Sequence, residues 1–276
     1  SWQSVLLRFR RDPVAMLAAA IVLALLLMAV FAPWIVPQDP YKGLSLRRLK
    51  PVGTEGFILG TDELGRDMLS RLIMGARLSL FMGVTPVFIA LFLGGAIGVV
   101  AGYVGGWVNA ILMRTIDVFF AFPPVLLAIA LSGALGAGIA NGLVSLTIVF
   151  IPPIARVAES VTTGIRARDF VEAARASGAG ALSIIRYHIL GNVLGPIFVY
   201  AMSLIAVSMI LASGLSFLGL GVKPPEPEWG LMLNTLRTAI YTQPLLCALP
   251  GLMIFITSIA FNMLTDGLRS AMDLKG

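Results

Sequence analysis

The chain has 276 residues, of which 58% are hydrophobic and only 12% carry a charged side chain. A soluble domain of this length has about twice that charged fraction, so the composition excludes an ordinary water-soluble domain and indicates a membrane protein. The net charge of +6 does not indicate nucleic-acid binding, because the basic residues lie beside apolar segments rather than along one stripe.

Long stretches without charged residues divide the chain into candidate membrane spans. A membrane-crossing helix needs about 20 apolar residues, and glycines interrupt the longest uncharged stretch. We therefore predict an all-α membrane protein, with a cytoplasmic segment at residues 1–13 and a single transmembrane domain at residues 14–276. Its six transmembrane helices are expected at residues 14–36, 79–103, 113–133, 140–162, 190–213 and 243–265.

The loop between the first two predicted spans, residues 37–78, is expected to lie outside the cell membrane. It contains the sequence Gly60-Thr61-Asp62-Glu63-Leu64-Gly65-Arg66-Asp67. From Asp67 to Leu80 the apolar residues recur on one side of a helix, which favours an interfacial helix lying on the outer surface. The residues on that side are Met68, Leu69, Leu72, Ile73 and Ala76.

Small residues and prolines mark the second and third spans. Gly94, Gly98 and Gly102 are spaced four apart, which predicts close packing of the second span against another helix. The third span contains Pro123-Pro124, and proline inside a helix removes a hydrogen-bond donor and produces a kink.

Ionisable residues are almost absent from the centres of the predicted spans. Arg114 and Asp117, near the start of the third span, are three apart and are expected to form an intrahelical pair. A deep charged binding site would leave ionisable residues visible, so we expect a low-affinity pathway lined by hydroxyl groups and backbone. The candidate lining residues are Ser145, Thr147, Ser203, Ser208 and Ser213.

Residues 163–189 form a polar loop between the fourth and fifth spans, yet they have the pattern of a helix rather than of a linker. Asp169 and Glu172 are spaced like a capping box, and Gly178 is typical of a helix stop. A second helical run is expected from Ala181. The small, apolar face of the first helix, which suits insertion into a groove on another protein, consists of Phe170, Ala173, Ala174 and Ser177.

The second outer loop comprises residues 214–242. It contains the stiff acidic sequence Pro224-Pro225-Glu226-Pro227-Glu228. A predicted amphipathic helix follows, with Trp229, Leu233 and Leu236 on one side. Two interpretations remain open. The helix is either an interfacial element with aromatic residues at the lipid headgroups, or a docking edge or gate for an extracytoplasmic binding protein.

Three blocks of residues carry a resemblance to a known family. Glu172-Ala173-Ala174, Gly178 and Ile189-Leu190 resemble the EAA loop of ABC-importer permeases. The segment Gly60 to Asp67 is similar to the second permease subunit of dipeptide, oligopeptide and nickel importers. So is Leu215-Ser216-Phe217-Leu218-Gly219-Leu220-Gly221. The likeness covers nearly the whole chain, but Gly191 stands where the family has proline.

The resemblance implies a type I ABC importer permease fold with cytoplasmic coupling helices, located in the inner membrane with both termini in the cytoplasm. A homologous permease subunit would complete the pathway, and an extracytoplasmic binding protein would deliver di- or oligopeptides. Two cytosolic ATPase subunits would bind ATP and Mg²⁺, whereas this chain would bind no cofactor or metal. The residues that would contact an ATPase are Asp169, Glu172, Ala173, Ala174 and Gly178.

Other interpretations concern the cargo and the energy source. The same architecture imports nickel complexes, glutathione or other small solutes in similar proteins. An ion-coupled secondary transporter is a rival of a different class, but it usually places ionisable residues in mid-membrane. A channel would not explain the helical polar loop. No P-loop, Gly-x-Ser-x-Gly or His-Glu-x-x-His sequence is present, so we do not expect an enzyme.

Overall fold

The computed structural model describes residues 2–273, so Ser1 and residues 274–276 of the predicted domain lie outside the described residues. Between them the chain is almost entirely helical, which confirms the predicted all-α class. The helices are, in chain order, α1 Trp2–Arg11, α2 Pro13–Ile35, α3 Met68–Val104, α4 Gly106–Phe120, α5 Pro124–Leu135, α6 Ile139–Arg166, α7 Asp169–Ala176, α8 Ala181–Ile184, α9 Leu190–Phe217, α10 Trp229–Leu236 and α11 Pro244–Asp273. A π-helical turn, Ile185–Ile189, joins α8 to α9 into one continuous helix.

Among residues 2–273, five helices are long and apolar enough to cross a membrane, namely α2, α3, α6, the joined α8 and α9, and α11. The pair α4 and α5 makes a sixth crossing when taken together, but its two parts meet at 87°. The predicted third span is therefore broken rather than kinked. Pro124 is the first residue of α5, and a proline without an N–H group cannot continue the helix that ends at Phe120.

The predicted interfacial helix before the second span is wrong. Residues 68–104 form one continuous helix of 37 residues, so the segment expected to lie flat is the first part of the span. Met68, Leu72 and Ala76 are buried against the rest of the protein instead of facing lipid headgroups. Their apolar side packs on α10, whose Trp229 indole donates a hydrogen bond to the Leu72 carbonyl over 3.0 Å.

The centre of the fold is the contact between α3 and α6, with α9 packed against both. A Cβ atom added at Gly94 would lie 2.8 Å from the Ile151 carbonyl oxygen, and one at Gly102 would lie 2.7 Å from that of Glu159. A side chain at Gly98 would likewise collide with Ala155. These glycines let the two backbones approach closely, which confirms the packing predicted from their spacing.

The ends of the spans are set by local chemistry. Asp12 caps α2 by accepting hydrogen bonds from the backbone N–H groups of Val14 and Ala15, at 2.9 and 3.2 Å. The glycine-rich stretch after Leu135 separates α5 from α6, as its composition predicted. By contrast, the fifth span begins at Ala181 rather than at residue 190, and Gly191 lies inside its helix without interrupting it.

Candidate functional site

The polar segment between α6 and α8 folds into the short helix α7, as the sequence predicted. Its start differs from the expected capping box, because Arg168 occupies the N-cap position and its side chain makes no capping bond. Asp169 is instead the first helical residue, where its negative charge is favourable near the helix N-terminus. Glu172 pairs with Arg175 over 3.3 Å, and both side chains are exposed.

The predicted glycine stop of α7 is confirmed. Gly178 has a φ angle of +82°, a left-handed conformation that favours glycine. The N–H group of Ala179 donates to the Ala174 carbonyl over 3.1 Å, and the N–H group of Gly178 donates to the Arg175 carbonyl over 3.0 Å. No atom lies within 4 Å of a Cβ added at Gly178, so the conformation alone explains the glycine.

One side chain anchors α7, and the opposite face of the helix is open. Val171 is fully buried and belongs to the same apolar cluster as Ile184 and Ile189, at the beginning of the fifth span. On the other side, Phe170 is 43% exposed and Ala173 is also exposed. The helix is thus fixed to the membrane domain from behind while its small apolar face is uncovered.

The remaining predicted residues of this segment lie around the open face. Asp169, Glu172 and Gly178 are exposed, and Ala174 is half-buried. His188 is half-buried, with its ring 6.4 Å from that of Phe170. No group of His, Cys, Asp and Glu side chains suited to a metal ion occurs among residues 2–273.

On the opposite side of the molecule, the sequence Gly60 to Asp67 forms a buried ionic cluster. The Asp62 carboxylate lies 2.6 Å from Nε of Arg66 and 3.2 Å from Nε of Arg71. Glu63 pairs with Nη2 of Arg66 over 2.8 Å. Burial, followed by repulsion from Asp62, raises the pKa of Glu63. We call Asp62, Glu63, Arg66 and Arg71 the outer ionic cluster.

The outer ionic cluster ties the two outer loops together. Arg71 donates hydrogen bonds to the carbonyl oxygens of Pro40, at 2.8 Å, and Pro225, at 3.3 Å. Asp67 caps α3 by accepting from the N–H group of Ser70 over 3.0 Å, and the Ser70 hydroxyl accepts from the N–H group of Gln38. Buried charges need such pairing, so this cluster holds the loops in one arrangement, although one buried carboxylate oxygen of Glu63 has no partner among the described residues.

The helix α10 is built into the same region. The Trp229 side chain is fully buried, and its backbone N–H donates to the Ser79 hydroxyl over 3.0 Å. Glu228, also buried, caps α10 by accepting from the N–H groups of Gly230 and Leu231, at 3.1 and 2.8 Å. Burial raises the pKa of Glu228, and these hydrogen bonds offset part of that increase.

This burial corrects the interpretation of α10 as a docking edge. Trp229 and Leu236 are enclosed by the protein, so their side chains anchor the loop and do not present a surface to a partner. Leu233 is half-buried. The exposed residues of this region follow α10, where Ile240 is 52% and Tyr241 is 91% exposed.

An open cavity of about 430 Å³ lies between the beginning of α3 and the segment Glu226-Pro227 that precedes α10. Tyr41 donates a hydrogen bond to Glu226 over 2.8 Å at its rim, and Arg77 lies in the same wall. Partial burial and the bond to Glu226 raise the pKa of Tyr41. The cavity therefore combines both signs of charge with apolar walls from Met74 and Phe81.

An ion pair also joins α4 to α6. Asp117 pairs with Arg156 of α6 rather than with Arg114, so the predicted intrahelical pair is wrong. The Arg156 guanidinium lies 6.0 Å from the centre of the Phe120 ring. The two side chains are 46% (Arg156) and 48% (Asp117) exposed on the surface of the subunit. A charge facing lipid at the centre of a membrane costs about 2.5–3.5 kcal/mol on insertion scales.

The hydroxyl groups expected to line a pathway are mostly inside the subunit. Ser145 and Thr147 donate to the carbonyl oxygens of Asn141 and Leu143 in their own helix, at 2.8 and 2.7 Å. Both are buried, and so are Ser208 and Ser213, whereas Ser203 is half-buried. Their burial does not agree with a lining role, because residues enclosed by one subunit do not face a pathway at its surface.

Comparison with known families gives two matches. Residues 94–275 match the family described as binding-protein-dependent transport system inner membrane component. Residues 1–51 match the N-terminal transmembrane domain of oligopeptide transport permease C. Together these two matches cover both the membrane core and the first span.

The chain is similar along nearly its whole length to permease proteins of glutathione transport systems. It is 41% identical over 274 residues to the glutathione transport system permease protein GsiD of Pectobacterium atrosepticum, covering 99% of this chain and 91% of that protein. It is 43% identical over 274 residues to GsiD of Escherichia coli, covering 99% and 90%.

Solved structures share the fold. The inward-facing MetNI methionine ABC transporter superposes with a TM-score of 0.60 at 18% identity, over 74% of this chain and 97% of that chain. An amino acid ABC transporter with histidines superposes with a TM-score of 0.54 at 17% identity, over 71% and 91%. These likenesses confirm the predicted type I importer permease fold.

Proposed function

The chain belongs to the family of binding-protein-dependent transport system inner membrane components, and we propose that, as a permease subunit of an ABC importer, it conducts short peptides, glutathione included. The match to oligopeptide permease C and the similarity to glutathione permeases support this cargo class. Glutathione is itself a small peptide, so both comparisons are compatible with the proposed cargo, which carries amide groups and charged ends. A homologous permease subunit completes the pathway.

The observation that carries the coupling part of the proposal is the open face of α7. Phe170 and Ala173 project from a helix whose other side is buried through Val171. A small apolar ridge on a short, rigid helix suits a hydrophobic groove in a partner protein. We therefore place α7 in a groove of a cytosolic ATPase, which puts both termini of this chain in the cytoplasm.

The anchoring of α7 explains how movement reaches the membrane. Val171 packs in the same cluster as Ile184 and Ile189, and these residues begin the helix that continues through the fifth span. A displacement of α7 by closing ATPases is thereby transmitted to that span. ATP and Mg²⁺ bind to the two ATPase subunits, and this chain contributes no phosphate-binding loop.

The outer region supports docking of an extracytoplasmic binding protein. The outer ionic cluster and α10 give this region one fixed shape, because Asp62 is buried and paired with Arg66 and Arg71, and the buried Trp229 indole is hydrogen-bonded to Leu72. The exposed Tyr241 and the cavity rim at Tyr41 and Glu226 form its accessible surface. We place the binding protein on these exposed residues rather than on Trp229 or Leu236.

The proposal is tested by uptake into proteoliposomes that contain this chain, its partner permease and its ATPases. We expect ATP-dependent uptake of labelled glutathione or of short peptides, and only when the binding protein is present. Uptake of nickel complexes alone would reject the cargo class. Uptake driven by an ion gradient without ATP would instead support an ion-coupled secondary transporter.

A further inference from the structure

The ion pair of Asp117 and Arg156 joins two of the membrane-spanning segments, the broken span and α6. Helix α6 ends at Arg166, and a rise of about 1.5 Å per residue places Arg156 roughly 15 Å from that end. Asp117 belongs to the first half of the broken span, and Met113 and Ile116 of the same helix pack against Ala155 of α6. The pair therefore lies within the span and not in a loop.

The pair is on the surface of the subunit, although the spans around it are apolar. Each of its side chains is almost half exposed. Charged groups on a span are rarely in contact with lipid and face either a protein interface or a water-filled cavity. The surface that carries Asp117 and Arg156 is accordingly turned away from the hydrocarbon.

The neighbouring residues of α6 favour water over a dry interface. Ser160 and Thr163 follow Arg156 at helical spacings of four and seven, which places all three on one face. Both are exposed, and the Thr163 hydroxyl is 3.2 Å from the carboxylate of Glu159. The inner half of α6 thus has a continuous polar face that ends at the ion pair.

We propose that Asp117 and Arg156 line a water-filled part of the translocation pathway in the inner half of the membrane and bind the charged ends of the passing cargo. This inference rests on the proposed peptide cargo. The Asp117 carboxylate is suited to an ammonium group, and the Arg156 guanidinium accommodates a carboxylate with two parallel hydrogen bonds. Phe120 covers one side of the guanidinium.

Because both side chains are exposed, Asp117 and Arg156 can exchange each other for the charged ends of the cargo at a small cost in free energy. Half-exposed ions keep much of their hydration when they exchange one partner for another. The buried ions of the outer ionic cluster have no water to replace a lost partner. A zwitterionic peptide carries one ammonium and one carboxylate group, so it provides a counter-charge for Asp117 and another for Arg156. Binding at this position is therefore transient, as conduction requires.

The first test measures access of water to this face. In the assembled complex with Cys247→Ala, a charged, membrane-impermeant thiol reagent is applied to Ser160→Cys and to the control Phe92→Cys. Phe92 is exposed on the apolar surface of α3, where its neighbours Phe88, Ile89 and Leu93 are exposed as well. We expect Ser160→Cys to react at least tenfold faster. Equal reactivity of the two cysteines would overturn the proposal.

The second test separates cargo binding from structural support. The neutral double variant Asp117→Asn/Arg156→Gln removes both charges, and the exchanged variant Asp117→Arg/Arg156→Asp keeps a pair. We expect peptide uptake to fall at least tenfold in the neutral variant and to recover at least threefold in the exchanged one. The yield of assembled complex serves as the folding control for both.

Each result has one meaning. Wild-type uptake by an assembled neutral double variant would overturn the cargo-binding role. Failure of the neutral variant to assemble, with an exchanged variant that assembles but transports no better than one-tenth of wild type, would assign the pair to structure and also overturn it. Absence of peptide uptake by the wild-type complex would reject the proposed function instead, and the labelling ratio would still decide whether this face is wet.

Discussion

Two short helices of equal length, α7 and α10, lie in loops on opposite sides of the membrane domain, and they are held in different ways. Helix α10 is capped by a buried glutamate and anchored by Trp229, which is fully enclosed. Helix α7 has no side-chain cap, rests on Val171 and leaves Phe170 uncovered. The difference indicates that α10 belongs to the fold of the subunit, and it supports the proposal that α7 docks on a partner.

The largest difference between α10 and α7 is expected in the unfolding free energy after removal of their aromatic side chains, Trp229 and Phe170. Trp229→Ala removes a fully buried indole and its hydrogen bond to Leu72, so we expect a loss of about 3–5 kcal/mol in unfolding free energy. The matched change Phe170→Ala should cost less than about 1 kcal/mol. Unfolding of the purified proteins in detergent measures both values. Equal losses would remove the distinction between the two helices.

The glycine that ends α7 should show the next largest effect. Gly178→Val forces a β-branched residue into a left-handed conformation, which costs about 1–2 kcal/mol locally. We expect weaker binding to the ATPase and slower uptake, although the membrane domain stays folded. Gly178→Asn is the control, because asparagine tolerates this conformation better. Co-purification of the ATPase at wild-type yield with Gly178→Val would count against the coupling role of α7.

The cap of α10 should make stability depend on pH. Burial raises the pKa of Glu228 in the folded protein. Its contribution to stability is therefore fully present below the pKa of the unfolded chain, about 4.3, and declines as pH rises through the higher folded value. The variant Glu228→Gln has no such titration. We expect wild type to lose stability relative to Glu228→Gln as pH increases from 4 to 7, measured by melting temperature.

The smallest effect is expected at the ion pair on α7. Arg175→Ala removes the exposed pair with Glu172, and exposed pairs contribute less than about 0.5–1 kcal/mol. The melting temperature should stay near that of wild type. A large destabilisation would mean that α7 is supported from within the subunit, as α10 is, and would weaken the contrast between the helices.

The sequence predicted those parts of the fold that depend on local patterns. The existence of the spans, though not all of their ends, the close approach at Gly98 and the stop at Gly178 follow from composition and from spacing within one helix, and the structure confirms them. The prediction of an interfacial helix before the second span is wrong for a physical reason. The apolar side of this segment packs against Trp229 and does not face the membrane surface. Trp229 lies far away in the sequence, so the contact cannot be predicted from local spacing.

The contacts that cannot be predicted from the sequence join residues that are far apart in the chain. The sequence predicts an ion pair of Asp117 with Arg114, because spacing within one helix reveals only neighbours in that helix. The actual partner, Arg156, belongs to another helix. Val171 was overlooked because a single valine beside a small apolar face gives no pattern of its own. In the outer loop, the charge-rich sequence identified the family but did not indicate that Asp62 and Arg71 are buried together.

The central claim, that the open face of α7 contacts an ATPase, is tested most directly by cross-linking in the assembled complex. With Cys247→Ala as background, a short bifunctional thiol reagent is applied to Ala173→Cys on α7 and to Tyr241→Cys after α10. Both positions are exposed. We predict that Ala173→Cys cross-links to the ATPase and that Tyr241→Cys does not. A complex that transports normally, with no ATPase cross-link from Ala173→Cys, would contradict the claim.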